Sequence, residues 1–232
     1  MYKTVITFFL FSFYLSHSQT TKIEYSLEII IDKDKIINPT KIDLFNQLNE
    51  SLKLISFNLV FNDTISKFYI PESNAIRTDQ MIQAISFSAL EKPMYCFAGN
   101  AYTFGEESLL KEKIYLVKNE MNKKWIIHND TISVNGYKCY KATSSYTNSS
   151  EKTFIDIVWF APSIPTNFGP NGTGNLPGAV LIYQHASNVY KANKIVLNSN
   201  EKIDFVLTNK VITEKEYLNL LQKWEEDEFG IK

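Results

Sequence analysis

One dipeptide constrains the fold of this chain more than any other feature of its sequence. Asn135-Gly136 separates two short runs with strand-like composition, residues 131–134 and 137–143. Asn and Gly both tolerate the left-handed backbone of a type I′ turn, which joins two antiparallel strands with the correct twist. We therefore expect a β-hairpin at this position.

Further strand-like runs recur along most of the chain. Aromatic residues make up 14% of it, and flat rings pack well on a pleated face. Strands and helices do not alternate regularly, which disfavours a doubly wound parallel sheet. The predicted fold is mainly β: a curved antiparallel sheet, or a partly open barrel or bowl, with a C-terminal helix and a few short helices. Besides the hairpin, the segments expected to form strands are 23–29, 52–61, 65–70, 94–102, 114–117, 125–128, 154–160, 178–183, 190–197 and 202–208.

Two internal segments have the spacing of helices. Apolar residues between 42 and 48, after Pro39, recur at helical intervals and predict a short helix. Residues 72–91 are mixed in character and fit either a short helix or a covering loop.

A third helix is expected at about 213–229. Thr213 and Glu216 have the spacing of a capping box, in which each side chain satisfies an amide of the other residue. Tyr217, Leu221 and Trp224 then form an apolar stripe, by which we expect the helix to dock on the sheet.

The first eighteen residues have the pattern of a cleavable signal peptide. Lys3 supplies a positive charge, residues 5–15 are apolar, and small residues precede Gln19. The apolar run is shorter than the roughly 20 residues that a permanent membrane anchor needs. The alternative is a buried N-terminal strand or helix. We expect an exported protein, periplasmic or extracellular, with residues 19–232 forming a single β-rich domain that has no transmembrane segment.

Composition argues against one large class of partner. The net charge is −1, and Arg77 is the only arginine among 24 basic residues. A nucleic-acid-binding protein needs a basic face, preferably with arginines that grip phosphates. We therefore expect no nucleic-acid partner.

The chain has only two cysteines, Cys96 and Cys139. In an oxidising compartment they could form one disulfide, and the alternative is a pair of buried free thiols. They lack the C-x-x-C spacing of redox and zinc motifs.

Residues 161–178 contain four of the seven prolines and four of the eight glycines of the chain. Proline fixes φ, while glycine opens backbone conformations that are closed to other residues. This composition predicts a long connection with a defined path. Such a loop is either functional or a structural crossover between two strands.

Several motifs occur in a characteristic order, and together they resemble the GLPGLI family of exported proteins, found mainly in Bacteroidota. They are Trp125, the segments 134–142, 158–165 and 168–170, and the signature segment 175–181. The family-motif residues of the loop are Pro165, Gly169, Pro170, Asn175, Leu176, Pro177 and Gly178.

The signature departs from the family pattern in two places. Asn175 replaces a glycine, and Ala179-Val180 replaces a larger apolar pair. Asn is the next-best residue for left-handed backbone, so the turn can survive. The resemblance implies a β-rich envelope protein without an assigned reaction, similar to the bowl-like N-terminal domain of a bacterial peptide-N-glycosidase. It brings no catalytic residues.

Residues that could carry chemistry are few. His128 and His185 have no metal-binding spacing, and no cofactor motif is present. Asp156 and Asp204 could be paired in space, although the sequence does not show it. We expect the three tryptophans to be packing residues, the alternative being an aromatic platform for glycans or lipids; they are Trp125, Trp159 and Trp224.

Two classes of function follow. The first is a non-catalytic envelope module, whose sheet or loop binds a partner protein, a glycan or a lipid. The second is a hydrolase or glycan-processing enzyme, which would need at least two polar side chains converging near the loop, with Asp156 and His185 as candidates.

Overall fold

The structure is a computed structural model that describes residues 19–31, 38–72, 78–88, 90–105, 116–121, 123–147, 151–205 and 210–230. The predicted signal peptide, residues 1–18, lies outside the described residues, as do Arg77 and parts of the predicted strands 114–117 and 202–208. No helix within the described ranges is long and apolar enough to cross a membrane.

Twelve strands and three helices account for most of the described chain. The strands are β1 (Thr20–Ile29), β2 (Phe57–Phe61), β3 (Ile65–Tyr69), β4 (Met94–Phe97), β5 (Asn100–Phe104), β6 (Leu116–Glu120), β7 (Ile126–Val134), β8 (Tyr137–Thr147), β9 (Thr153–Ala161), β10 (Ala179–His185), β11 (Asn188–Ser199) and β12 (Val211–Thr213). The helices are α1 (Pro39–Leu52), α2 (Asp79–Ser88) and α3 (Glu214–Phe229).

The described strands form one curved, open sheet in the order β12-β6-β5-β4-β3-β2-β1-β11-β10-β9-β8-β7. Each neighbouring pair is antiparallel except β12–β6, which is parallel. The predicted mainly β fold is therefore confirmed as an open sheet, with one parallel pair at its edge. The sheet ends at β12 on one side and at β7 on the other.

The hairpin predicted at Asn135-Gly136 is confirmed. Both residues have positive φ, 51° and 82°, and Val134 pairs with Tyr137 across the turn. A second turn of this kind was not expected. Ala98 and Gly99 have φ of 48° and 75° and divide the predicted strand 94–102 into β4 and β5. Alanine rarely adopts this conformation, so the sequence contains only a weak signal for the turn.

Two other predicted strands need correction. Helix α1 runs to Leu52, so the strand predicted from that residue begins only at Phe57. Residues 201–205 are irregular rather than a strand. In this segment Phe205 packs against the rings of Tyr95 and Phe97, each 5.0 Å away between centroids, and so covers β4.

The predicted C-terminal helix is confirmed, together with its capping box between Thr213 and Glu216. The expected docking is only partial, because none of its residues is buried. The stripe of Tyr217, Leu221 and Trp224 is half-buried. Helix α3 follows β12 directly and contacts β12 and β6 at the edge of the sheet, where less surface is available to cover it.

The core lies on the face of the sheet that is covered by α1, α2 and the loop 162–178, which we call the inner face. Rings of Tyr25, Phe57, Phe68 and Tyr190 pack edge to face or stacked at its centre, with centroids 5.5–6.4 Å apart. Asn49 of α1 both donates to and accepts from the Ile29 backbone, which fixes α1 to the end of β1. Buried aromatic packing of this kind makes the inner face the main source of stability.

A β-bulge in β10 is tied to the core by Tyr25. The pairing of β10 with β9 shifts register between Val180 and Ile182. The buried Tyr25 hydroxyl donates to the Val180 carbonyl at 2.6 Å, passing over β11, whose facing residue is the small Ala192. The bulge therefore has a partner for its backbone carbonyl within the core.

Cys96 on β4 and Cys139 on β8 are both buried free thiols in the structure. Six strands separate β4 from β8 in the sheet order. Of the two alternatives left by the sequence, the structure shows the pair of buried thiols.

Candidate functional site

The proline- and glycine-rich loop between β9 and β10 packs into the molecule rather than projecting from it. Ile164, Phe168, Thr173 and Leu176 are buried, and the single 3-10 turn Pro170–Gly172 contacts β3 and β4. Among the family-motif residues, Gly169, Pro170, Leu176 and Gly178 are buried, whereas Pro165, Asn175 and Pro177 are exposed. The loop thus fills the inner face of the sheet, as expected of a structural crossover.

Close backbone approach explains two of the loop glycines. A Cβ on Gly178 would lie 2.3 Å from the Ala161 carbonyl oxygen, and its φ of +151° disfavours other residues. A Cβ on Gly174 would lie 2.6 Å from the Asn167 carbonyl oxygen. Both contacts are far below van der Waals distance, so the path of the loop requires glycine there.

Asn175 adopts the left-handed conformation expected of it, with φ of 64°. Its side-chain amide also donates to the Met121 carbonyl, a hydrogen bond that a glycine at this position could not make. Trp125 makes a second link, because its indole N–H donates to the Gly174 carbonyl at 2.9 Å. The loop therefore fixes the segment that carries Lys123.

Three separate parts of the chain meet at Asp156 on β9, which is fully buried. Nδ1 of His185, on β10, lies 2.7 Å from Oδ1 of Asp156. The Lys123 ammonium donates to Oδ2 of Asp156 and, at 2.7 Å, to the hydroxyl of Tyr183. Both carboxylate oxygens are thus occupied, as a buried charge requires.

These contacts keep both Asp156 and Lys123 charged. Burial alone would raise the pKa of Asp156, but the hydrogen bonds from His185 and Lys123 outweigh it and lower the pKa. Burial would likewise lower the pKa of Lys123, yet Tyr183 and Asp156 together raise it. Burial raises the pKa of Tyr183, so its hydroxyl stays protonated at neutral pH.

An open cleft of about 880 Å³ lies beside this network. Its lining comes from both faces of the sheet edge: Ser144 and Tyr146 share one face with Asp156, whereas Thr143 and Ser145 share the other with Ile155. The lining residues are Lys123, Lys124, Ile126, Thr143, Ser144, Ser145, Tyr146, Ile155 and Asp156.

Rings stack along one side of the network. Tyr146 lies between Phe154, at 5.3 Å, and His185, at 5.4 Å between centroids, with all three rings nearly parallel. Tyr183 continues the series at 6.0 Å from His185. This stack fixes the orientation of Tyr146 at the cleft and of the His185 ring beside it.

The predicted candidates separate into two groups. Asp156 and His185 are brought together, and His128 contacts the cleft residue Thr143 through a hydrogen bond of 2.8 Å. Asp204 is not paired with Asp156; its backbone carbonyl accepts from the hydroxyl of Tyr95, near the opposite end of the sheet.

The tryptophans also differ in their surroundings. Trp159 is half-buried against the core, and Trp224 packs against Phe229 within α3, 5.5 Å away between ring centroids. Trp125 is the one close to the site, where Lys123 lies 6.0 Å from its ring centroid.

Sequence reasoning missed Lys123, Tyr146 and Tyr183. Lys123 lies between two residues, Met121 and Trp125, that are hydrogen-bonded to the loop, and no local pattern predicts these contacts. Asp156 and the two tyrosines face inward by strand alternation, which the sequence shows without revealing which strands are neighbours.

The arrangement orients the His185 ring and holds the Lys123 ammonium at the cleft. Asp156 is saturated by two partners, and the described residues contain no group of three side chains that could hold a metal ion. His185 is the group that remains available for chemistry, because Asp156 contacts its Nδ1 and not its Nε2.

Comparison with known proteins places the fold among solved structures but gives no family. No family model matches the chain, and no curated protein matches its sequence. The solved structures of PNGF-II, a peptide-N-glycosidase, in two crystal forms are similar to 89% of this chain, with TM-scores of 0.56 and 0.51 and 15% sequence identity. The matched region spans only 33–34% of those chains. At this identity the likeness shows a shared fold: this chain resembles about one third of PNGF-II.

Proposed function

We propose that this chain is an exported cell-envelope protein of the GLPGLI type, and that its β domain is a non-catalytic module which binds glycans in the cleft beside Asp156. Support for export comes from the leader-like residues 1–18. Support for the family comes from the ordered motifs, including the loop signature at 175–181.

The observation that carries the proposal is the composition of the cleft. Hydroxyl groups of Ser144 and Tyr146 lie on the face that also carries Asp156, and the orientation of the Tyr146 ring is fixed by stacking. Hydroxyl donors and acceptors together with a ring suit the alternating polar and apolar surfaces of a sugar. Rigid strands hold these groups in advance of binding, which lowers its entropic cost.

Asp156 itself is not placed to act as a general acid or base. Such a group must exchange a proton with its substrate, whereas both oxygens of Asp156 are bonded within the protein. The cleft is also open rather than enclosed, which fits an extended glycan better than an acyl chain. The fold also resembles part of PNGF-II, which is a glycan-processing protein, and this likeness supports a glycan as the ligand.

A glycan array probed with the mature chain tests this function. We expect binding to a subset of oligosaccharides that Tyr146→Ala abolishes, because the Tyr146 ring and hydroxyl line the cleft on the same face as Asp156. Leu197→Ala is the matched control, since Leu197 is 52% exposed on β11 and lies outside the cleft. Binding that survives Tyr146→Ala, or no binding at all, would refute the proposal.

One observation favours the second candidate, a glycan-processing hydrolase. Asp156 and His185 form an acid–histidine pair, and the side chain of His185 is 37% exposed. Such a pair can orient an imidazole for proton transfer. Incubation with glycopeptides, followed by mass spectrometry, tests it: cleavage by the wild-type chain that His185→Gln abolishes would replace the binding function by this one.

The proposed export has its own test. Amino-terminal sequencing of native protein should begin at Gln19. Native protein that still begins at Met1 would contradict it.

A further inference from the structure

The cleft lies where the edge of the sheet is stepped. Strand β8 runs to Thr147, but β7 begins only at Ile126, which pairs with Thr143. Residues 144–147 of β8 therefore pair with β9 on one side, and no described strand pairs with them on the other. Residues 123–125 precede β7 without forming a strand, so they do not extend it along β8. The step leaves a gap beside residues 144–147, which we call the edge gap.

The hairpin determines which backbone groups face the edge gap. In its two-residue turn the N–H of Tyr137 donates across the turn, so Tyr137 directs its backbone groups towards β7. Every second residue of an antiparallel strand faces the same neighbour. The register shift between β7 and β8 adds residues only to β7, and β8 pairs with β9 without a shift up to Thr147. Ser145 and Thr147 therefore direct their N–H and C=O groups into the gap, whereas Ser144 faces β9.

The two faces of the edge gap differ in polarity. Ile126 of β7 and Ile155 of β9 are 66% and 59% exposed, and both share the face of Ser145. Ser145 lies diagonally between them and has a small side chain, so both isoleucines stay open to a partner. The opposite face carries Tyr146 and the buried Asp156. A strand placed in the gap would present alternate side chains to an apolar surface and to a polar one.

From this geometry we infer that the edge gap binds an extended peptide segment of a partner protein, which adds a short strand to the sheet beside residues 144–147. A row of free main-chain donors and acceptors is matched by the backbone of another extended chain. Hydrogen bonds to Ser145 and Thr147 hold the segment, as in peptide recognition by strand addition. Its residue opposite Ser145 is aliphatic, because that side chain lies beside both exposed isoleucines. This inference goes beyond the proposed glycan binding and does not depend on it.

Amide hydrogen exchange tests whether the edge is free. In the mature chain alone, we expect the amides of Ser145 and Thr147 to exchange rapidly. The amides of Ser144 and Tyr146 bond to β9 and should exchange at least about tenfold more slowly. A bound peptide should slow only the first pair. A slowly exchanging Ser145 amide in the monomeric chain would show that the gap is already filled and would refute the inference.

The binding probe is a phage-displayed library of random heptapeptides, selected on the mature chain. We expect it to enrich sequences with aliphatic residues at alternate positions and no central proline. Ser145→Pro should weaken binding of an enriched peptide at least about tenfold, because proline lacks the N–H that faces the gap. Proline is tolerated where that group points away from the ladder, so the pairing of β8 with β9 should survive. Ser145→Ala is the matched control, since it keeps the N–H and should bind as the wild type does.

A second variant leaves the backbone of β8 unchanged. Ile155→Ala should weaken binding of the enriched peptide about fivefold, the order expected for one aliphatic contact at an interface. Leu197→Ala is the matched control, since Leu197 is 52% exposed on β11, outside the cleft. Thermal unfolding of all four variants measures whether each one remains folded.

The other outcomes contradict the inference in different ways. If no peptide is enriched, or if the enriched peptide binds Ser145→Pro as tightly as the wild type, the edge gap does not add a strand. Equal losses in Ser145→Ala and Ser145→Pro would assign recognition to the hydroxyl rather than to the backbone. A dimer in sedimentation that Ser145→Pro dissociates would assign the gap to a second copy of this chain. Glycan binding is judged separately by Tyr146→Ala, so either proposal can fail while the other stands.

Discussion

At the scale of single residues, Asp156 is the most demanding position in the molecule. A buried carboxylate is costly unless it is paired and hydrogen-bonded, and each oxygen of Asp156 has one partner. Lys123 comes from the segment before β7, whereas Asp156 and His185 lie on neighbouring strands, so the network joins parts of the chain that are far apart in sequence.

We expect Asp156→Asn to lower the free energy of unfolding at pH 7 by about 2–3 kcal/mol, less than a fully buried pair because both partners are 37% exposed. The amide would leave the Lys123 ammonium without its counter-charge. Chemical denaturation of both proteins measures the difference. Asp130→Asn is the matched control, since Asp130 is exposed on β7, and should change the stability little.

The difference in unfolding free energy between wild type and Asp156→Asn should change with pH in a defined direction. The pKa of Asp156 is lower in the folded state than the ordinary pKa of an aspartate, so this carboxylate stabilises the folded state above that ordinary value. The stabilisation is lost as the pH falls through the lowered pKa of the folded state. The stability difference between wild type and Asp156→Asn should therefore narrow as the pH falls below about 4. A difference that widened below that pH would contradict the ion pair.

At the scale of elements, the loop between β9 and β10 determines where the site forms. It fills the inner face of the sheet, and its residues Gly174 and Asn175 hold the segment that carries Lys123. The loop therefore supports the cleft through its contacts with the segment that carries Lys123, and it does not line the cleft itself.

Gly178→Ala should destabilise the protein by about 3 kcal/mol or more, because the new Cβ would lie 2.3 Å from a backbone oxygen that cannot move aside easily. Gly136→Ala is the control that separates the steric clash of the new Cβ from the strain of a positive φ alone. Gly136 also has positive φ, but a Cβ there would meet nothing within 4 Å, so a loss of only about 1 kcal/mol is expected. Thermal unfolding of both variants, measured together, tests the comparison; equal losses would show that the close approach is unimportant.

Local signals in the sequence were sufficient for several elements and insufficient for the site. Asn135-Gly136 predicts its hairpin and Thr213 to Glu216 its helix start, since both depend on a few adjacent residues. The turn at Ala98-Gly99 was missed because alanine there is held in an unfavourable conformation by the pairing of β4 with β5. Asp156 and His185 could be named as candidates, but their contact depends on a strand pairing across the loop, which no local pattern reveals.

At the scale of the whole molecule, one open sheet contains all twelve strands of the described residues, and β7 and β12 are its edges. The core runs along the sheet rather than around a closed barrel, so residues at opposite ends of the strand order need not approach each other. Cys96 and Cys139 illustrate this, since six strands lie between β4 and β8.

The thiols provide a test of this architecture. Burial raises the pKa of both cysteines to about 11, so the reactive thiolate is scarce at neutral pH. We expect the native, unreduced protein to react very slowly with a thiol-specific reagent at pH 8, and the same protein in denaturant to titrate two thiols. Cys139→Ala, in which alanine keeps the site apolar, should titrate one thiol in denaturant and serves as the calibration. If the unreduced wild type shows no thiol after denaturation, the two cysteines are bridged, and β4 and β8 must then approach far more closely than the strand order of the open sheet implies.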